Sequence, residues 1–276
     1  MISPDLSAVG FDAPTFAELA DAAVGQGIAV FEGWEACEQL LVYQDASGAR
    51  LIIMVQQELI TMFPSFAVET AFWPATAGMI NDVTGLIQTF DQSGRAHDFF
   101  TAQIDEPFRF PFIEAPGLIT ECSQFYPDLR IAALATDVEV YPSVEEWQRV
   151  RAKNFEQIST ADGPLTVYPT SGFLHCPHVE AYLSGVLSGD LGSATWIVLE
   201  VAQLQTRTNT LTGLQFHVIT GHLEGHSTPL QMCLGAEDTP PLHVGCVIEG
   251  AAIMIANSGL WDALHKLTTL TLDQGD

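Results

Sequence analysis

The sequence contains very few basic residues. Nine Lys and Arg stand against 34 Asp and Glu in 276 positions, and only Lys153 and Lys266 are lysines. A formal net charge of −25 makes the chain repel phosphate backbones and anionic membranes. We therefore expect neither nucleic acid nor a membrane among its partners. No glycine-rich loop precedes either lysine, so the sequence also lacks a phosphate-binding loop.

Cysteine is sparse, and long apolar runs are missing. The five cysteines are widely spaced and form no CxxC pair, which excludes a zinc ribbon and a disulfide framework. The first residues show no signal peptide. The longest apolar stretch, 245–256, contains Glu249 and is too short to span a membrane. These absences predict a soluble, cytoplasmic protein.

The chain nevertheless has enough apolar residues for a large core. Hydrophobic residues make up 47% of it and the mean hydropathy is +0.22. Helices are predicted after Asp12 and Pro14, after the capping box Ser143–Glu146, over 177–187 and from about residue 257. Strands are predicted for most of the remainder. The pattern therefore predicts an α+β fold with a mainly antiparallel sheet and a few helices.

Two hairpins are marked by turn sequences. Strands 40–43 and 51–55 flank Asp45-Ala-Ser-Gly48, and strands 86–90 and 99–104 flank Asp91-Gln-Ser-Gly94. A strand over 129–141 is predicted to break near Ala135 and Thr136. Later strands are predicted at 195–204, 214–220, 242–248 and 251–256.

The two halves of the sequence echo each other at a spacing of roughly 111–116 residues. Strand 129–141 corresponds to 242–254, and Trp147 corresponds to Trp261. We therefore expect two similar α+β halves, 1–155 and 156–276, related by a pseudo-twofold axis. They represent either a tandem duplication or one compact unit.

Histidines are concentrated in the second half. Those of the segments 175–178 and 222–226 are accompanied by Cys176 and Glu224, and imidazole with carboxylate is a ligand set for zinc and other divalent metals. The HxExH pattern is not the helical HExxH of zinc proteases. The alternative reading is a set of solvated turn histidines. The predicted metal ligands are His175, His178, His217, His222, Glu224 and His226.

The sequence leaves two functions open. The first is an acidic cytosolic protein that binds a protein or a small molecule, since no known catalytic pattern is found. The second is a metal-dependent hydrolase with zinc or another divalent ion among the histidines. A homodimer is compatible with either function. Whether the protein is an enzyme is left undecided.

Overall fold

The computed structural model describes residues 3–34, 37–57, 59–91, 93–114, 122–151, 157–160, 163–166, 171–184, 191–237 and 239–263. The helices are α1 (Pro4–Ala8), α2 (Phe16–Gln26), α3 (Val144–Arg151) and α4 (Pro177–Leu183). The first eight strands are β1 (Ala29–Trp34), β2 (Cys37–Gln44), β3 (Ala49–Gln56), β4 (Leu59–Phe66), β5 (Phe72–Met79), β6 (Thr84–Phe90), β7 (Ala96–Ile104) and β8 (Gln124–Tyr141). The other eight are β9 (Gln157–Thr160), β10 (Gly163–Thr166), β11 (Gly172–His175), β12 (Ala194–Glu200), β13 (Gln203–Thr208), β14 (Gln215–His222), β15 (Pro229–Gly235) and β16 (Val247–Asn257).

Five strands close into a barrel. β5, β6 and β7 form an antiparallel meander, β5 pairs with β8, and β8 pairs with β16. A short parallel pairing of β16 with β7, at 255–256 and 103–104, closes the ring. Closure removes the free edges that an open sheet would present.

A second circuit of strands shares β8 and β16 with the barrel. β16 pairs with β12, and the chain continues from β12 through Val201 and Ala202 into β13. β13, β14 and β15 are antiparallel neighbours, and β15 returns to β8 through a parallel pairing at 231–233 and 132–134. β11 extends the sheet beyond β12, and β9 and β10 form a separate hairpin.

The α+β prediction is wrong. Strands account for 52% of the structure and helices for 17%, and the core is a five-stranded barrel with further sheets. An α+β fold covers its sheet with helices, whereas here the sheet covers its own apolar face by curling into a ring. The expected α+β halves with a pseudo-twofold axis are therefore corrected to a β-rich fold. The division at residue 155 stays a prediction.

Two predicted hairpins and the predicted start of α3 are confirmed. Both hairpins are confirmed as β2–β3 and β6–β7. Ser143 accepts the backbone N–H of Glu146 at 3.2 Å and begins α3, which confirms Ser143 as the N-cap. The carboxylate of Glu146 bonds Arg149, so the structure shows one half of the predicted capping box. At the predicted break in β8, the register shift leaves Thr136 unpaired. The cap of α2 is Thr15 instead of Asp12.

Strands β1 to β4 form a separate antiparallel sheet, in which β3 is buried on both faces. In β3, Leu51 and Ile53 belong to the main core cluster. Ile52 and Met54, which alternate with them, pack in a second cluster with Trp261. Because side chains of a strand alternate between faces, the apolar run of β3 serves two cores.

A buried ion cluster fixes this sheet to the barrel. Arg50 of β3 donates from Nη1 to Oδ2 of Asp105 at 3.0 Å, and both side chains are fully buried. Ser65 of β4 donates to the same oxygen at 2.7 Å. Arg50 also bonds Asp262, which pairs in turn with Arg130 of β8.

Glu106 binds the last helical segment that the structure describes, 260–263. Its fully buried carboxylate accepts the N–H groups of Ser258 at 2.9 Å and Leu260 at 2.5 Å. Trp261 donates its indole N–H to the carbonyl of Asp105 at 2.9 Å. A negative charge at a helix N-terminus satisfies free backbone donors, which explains how Glu106 is tolerated without solvent.

The cluster holds three carboxyl groups, those of Asp105, Glu106 and Asp262, against two guanidinium groups. Burial raises the pKa of Asp105 to about 7, and the neighbouring Glu106 adds to the rise, whereas Arg50 and Ser65 oppose it. One proton on Asp105 brings the cluster close to neutrality.

Replacing Arg50 with methionine is expected to lower the free energy of unfolding by about 3–5 kcal/mol, since it leaves buried carboxylates without a counter-charge. The matched control is Arg149→Met, because Arg149 also pairs with a carboxylate, Glu146, but at the surface. Surface pairs contribute little to stability. Denaturant unfolding measures both, and equal losses would contradict the structural role of Arg50.

The raised pKa of Asp105 predicts a pH dependence of stability. The pKa of an aspartate in an unfolded chain is about 3.9, so between that value and about 7 the folded protein binds more protons at this site. Its contribution to stability is complete below about pH 4 and is lost as pH rises to about 7. Compared with Asp105→Asn, which cannot titrate, the unsubstituted protein should therefore lose free energy of unfolding over this range. A difference that is constant with pH would contradict this assignment.

Within the described part of the chain, no helix is long and apolar enough to cross a membrane.

Candidate functional site

A groove opens where β8 and β15 separate. Their parallel pairing covers only 132–134 and 231–233. β8 continues to Tyr141, and there its other edge is paired with β16. Among the described residues, no strand pairs with the open edge of β8 from 135 to 141.

The segment from α1 to Asp12 forms one wall of the groove. The turn between β13 and β14 anchors this wall, because Asn209 donates to the carbonyl of Val9 at 3.0 Å and Thr212 donates to that of Gly10 at 2.5 Å. Gly10 has a φ of 73°, and a Cβ there would lie 3.0 Å from Cβ of Asn209. Glycine at position 10 therefore allows the segment after α1 to pack closely against the turn between β13 and β14.

The groove combines apolar walls with carboxylates. Its volume is about 320 Å³, within the usual range for ligand sites. Asp12, Asp137 and Glu237 line it, and among the described residues no Lys or Arg does. The apolar lining includes Ala135, Val138, Val140, Leu214, Leu234 and Pro240. A ligand here would meet negative charge and apolar surface together.

A second cavity of similar volume, about 330 Å³, lies beside the buried ion cluster. Its charged lining groups already have partners within the protein. Arg130 pairs with Asp262, Glu69 pairs with Arg207, and Asp45 accepts from Ser47 and Thr210. These contacts hold the sheet of β1–β4 to the rest of the protein, so this cavity is better explained as part of that joint.

The six predicted metal ligands do not form one cluster. His175 ends β11 and His178 lies in α4, both exposed. His222 ends β14 and Glu224 lies in the following turn, also exposed. His217 of β14 faces Thr206, with Nδ1 and Oγ1 3.0 Å apart.

Only His226 takes part in a group with metal-ligating geometry among the described residues. It lies with His97 and Asp98, and their ligand atoms are all within 4.8 Å of one another. His97 and Asp98 are not among the ligands predicted from the sequence. His97 is the single histidine of the first half and belongs to no local motif. It meets His226 only because the loop after β14 folds over the start of β7.

No protein family, curated protein or solved structure matches the chain. The site therefore has to be interpreted from its own chemistry.

His217 offers a direct check of the environment on β14. Burial lowers its pKa from the ordinary value, because a charged imidazole is poorly solvated there. NMR titration should therefore place its midpoint below that of free histidine, about 6.5. The signal is assigned by its loss in His217→Gln. A midpoint at or above the free value would contradict the half-buried position of His217.

Proposed function

We propose that the protein is a cytoplasmic binding protein whose groove between β8 and β15 takes a small organic cation with an apolar body. The observation that carries this proposal is the combination in one groove of three carboxylates with an apolar lining. The five cysteines are free thiols, which agrees with a reducing compartment.

The lining defines the chemistry of the ligand. An ammonium or guanidinium group would be drawn to Asp12, Asp137 and Glu237. Apolar atoms would lie against Val138, Val140 and neighbouring side chains. The net charge of −25 adds a long-range attraction for cations and slows the approach of anions.

The open edge of β8 gives the groove a further property. Unpaired backbone N–H and C=O groups on a strand edge can bind a ligand or attract another strand. A charged side chain such as Asp137 also guards such an edge against unwanted pairing. If the open edge belongs to a binding site, the groove binds a cation specifically. If Asp137 only protects the edge from pairing with another strand, it does not.

The experiment compares two probes that share an apolar body. Phenethylamine carries an ammonium group, and 2-phenylethanol carries a neutral hydroxyl in its place. In calorimetric titration at low salt we expect phenethylamine to bind at least about tenfold more tightly. The reason is that a hydrogen bond to a charged group contributes about 1.5 kcal/mol or more.

Substitutions locate the binding. Asp137→Asn should weaken phenethylamine binding, whereas Glu38→Gln, an exposed change on β2, should not. Equal affinity for both probes would show that the charge of the ligand contributes nothing to binding. Equal loss in both variants would show diffuse charge attraction without a defined site. Either result would contradict the proposal. The metal-dependent hydrolase stays a separate prediction.

A further inference from the structure

Two parts of the chain that are distant in sequence bring metal-ligating groups together at the start of β7. His97 and Asp98 lie at the start of β7, and His226 lies in the loop that joins β14 to β15. Thr228, in the same loop, donates to the carbonyl of Phe72 of β5 at 3.3 Å. This hydrogen bond holds the loop between β14 and β15 against β5 of the barrel.

Asp98 lies between the two histidines. Its Oδ2 is 2.6 Å from Nε2 of His226 and 3.1 Å from Nδ1 of His97. The side chain of His226 is only 2% exposed, and its ring contacts that of Trp73 with centroids 4.6 Å apart. Packing therefore fixes His226, while His97 is 35% exposed and leaves one side of the group open.

Gly225 sets the position of the loop against His97. Its φ is 80°, and a Cβ at this position would lie 2.3 Å from Nε2 of His97. A glycine here therefore allows the His97 ring to lie against the loop, with Nδ1 directed to Asp98.

We propose that His97, Asp98 and His226 form a binding site for a divalent first-row metal ion, with zinc as the ion of choice. The ligand atoms would be Nδ1 of His97, a carboxylate oxygen of Asp98 and Nε2 of His226. Two imidazoles and one carboxylate are a set that zinc and iron use in proteins.

The spacing of these atoms fits such an ion. Ligands at about 2.0–2.1 Å from a tetrahedral zinc lie roughly 3.4 Å from each other. The separations of 2.6 and 3.1 Å from Asp98 would open by some tenths of an ångström. The two imidazole nitrogens lie within 4.8 Å of each other and would take up the same spacing around the ion. Three protein ligands leave a fourth position for water, as in zinc sites that are not closed structural sites.

This site is independent of the proposed function, because it shares no residue with the groove. It also differs from the set expected from the sequence, of which it retains only His226. Failure of either proposal would leave the other unaffected.

The test is titration of the full chain, purified without a histidine tag, with Co²⁺ as a spectroscopic probe and Zn²⁺ as competitor. We expect one equivalent of Co²⁺ to bind with visible absorption bands and to be displaced by Zn²⁺. Binding should weaken on addition of acid, because protons and metal ions compete for the same ligand atoms.

Variants assign the ligands. His97→Gln changes an exposed side chain and should fold, and it should weaken Co²⁺ binding roughly 100-fold or more, beyond the loss of an outer-shell partner. Asp98→Asn should have a similar effect. His175→Gln and His222→Gln, also exposed, should bind Co²⁺ as the unsubstituted protein does.

Two results would overturn the assignment. One is the absence of stoichiometric Co²⁺ binding at millimolar concentration. The other is binding that survives in His97→Gln but is lost in His175→Gln or His222→Gln, which would place the metal among the other histidines. The melting temperature of each variant verifies that it is folded.

Discussion

The antiparallel pairing of β8 with β16 determines where both sites lie. It runs over eleven residue pairs, from Val247 opposite Tyr141 to Asn257 opposite Arg130. The other edge of β8 pairs with β5 and with β15. The other edge of β16 pairs with β12 and with β7. Because both circuits use the same two strands, neither can shift register without disturbing the other.

The groove follows from this arrangement. β8 stays paired with β16 beyond the point where β15 leaves it, so one edge of β8 lacks a strand partner along the described chain from 135 to 141. The cluster of His97, Asp98 and His226 has the same origin, since the loop after β14 belongs to one circuit and β7 to the other. A site formed between two sets of strands brings together residues that are remote in sequence. Ligand sites often lie between structural units in this way.

Local signals allowed the sequence to predict the hairpins around residues 45–48 and 91–94, the N-cap of α3 at Ser143 and the irregularity in β8. The ring could not be predicted, because its closing pairs join residues such as Gln103 and Ile255. The sequence predicts strands at 242–248 and 251–256, whereas one strand, β16, runs from Val247 to Asn257 and 242–246 lie outside it. Gly250 has a φ of 153°, and a Cβ there would lie 2.2 Å from the carbonyl oxygen of Asp137. Glycine here permits close approach and does not end the strand. His97 carried no local pattern, so its contact with His226 required the tertiary structure.

Residue-level amide hydrogen exchange shows whether the edge of β8 beside the groove is open, because it reports which backbone donors are bonded. In the ligand-free protein, alternate amides between 137 and 140 should be strongly protected by β16. Those facing the groove should exchange faster by orders of magnitude. If all the amides of this segment are equally protected, the edge of β8 is paired and the proposed groove does not exist.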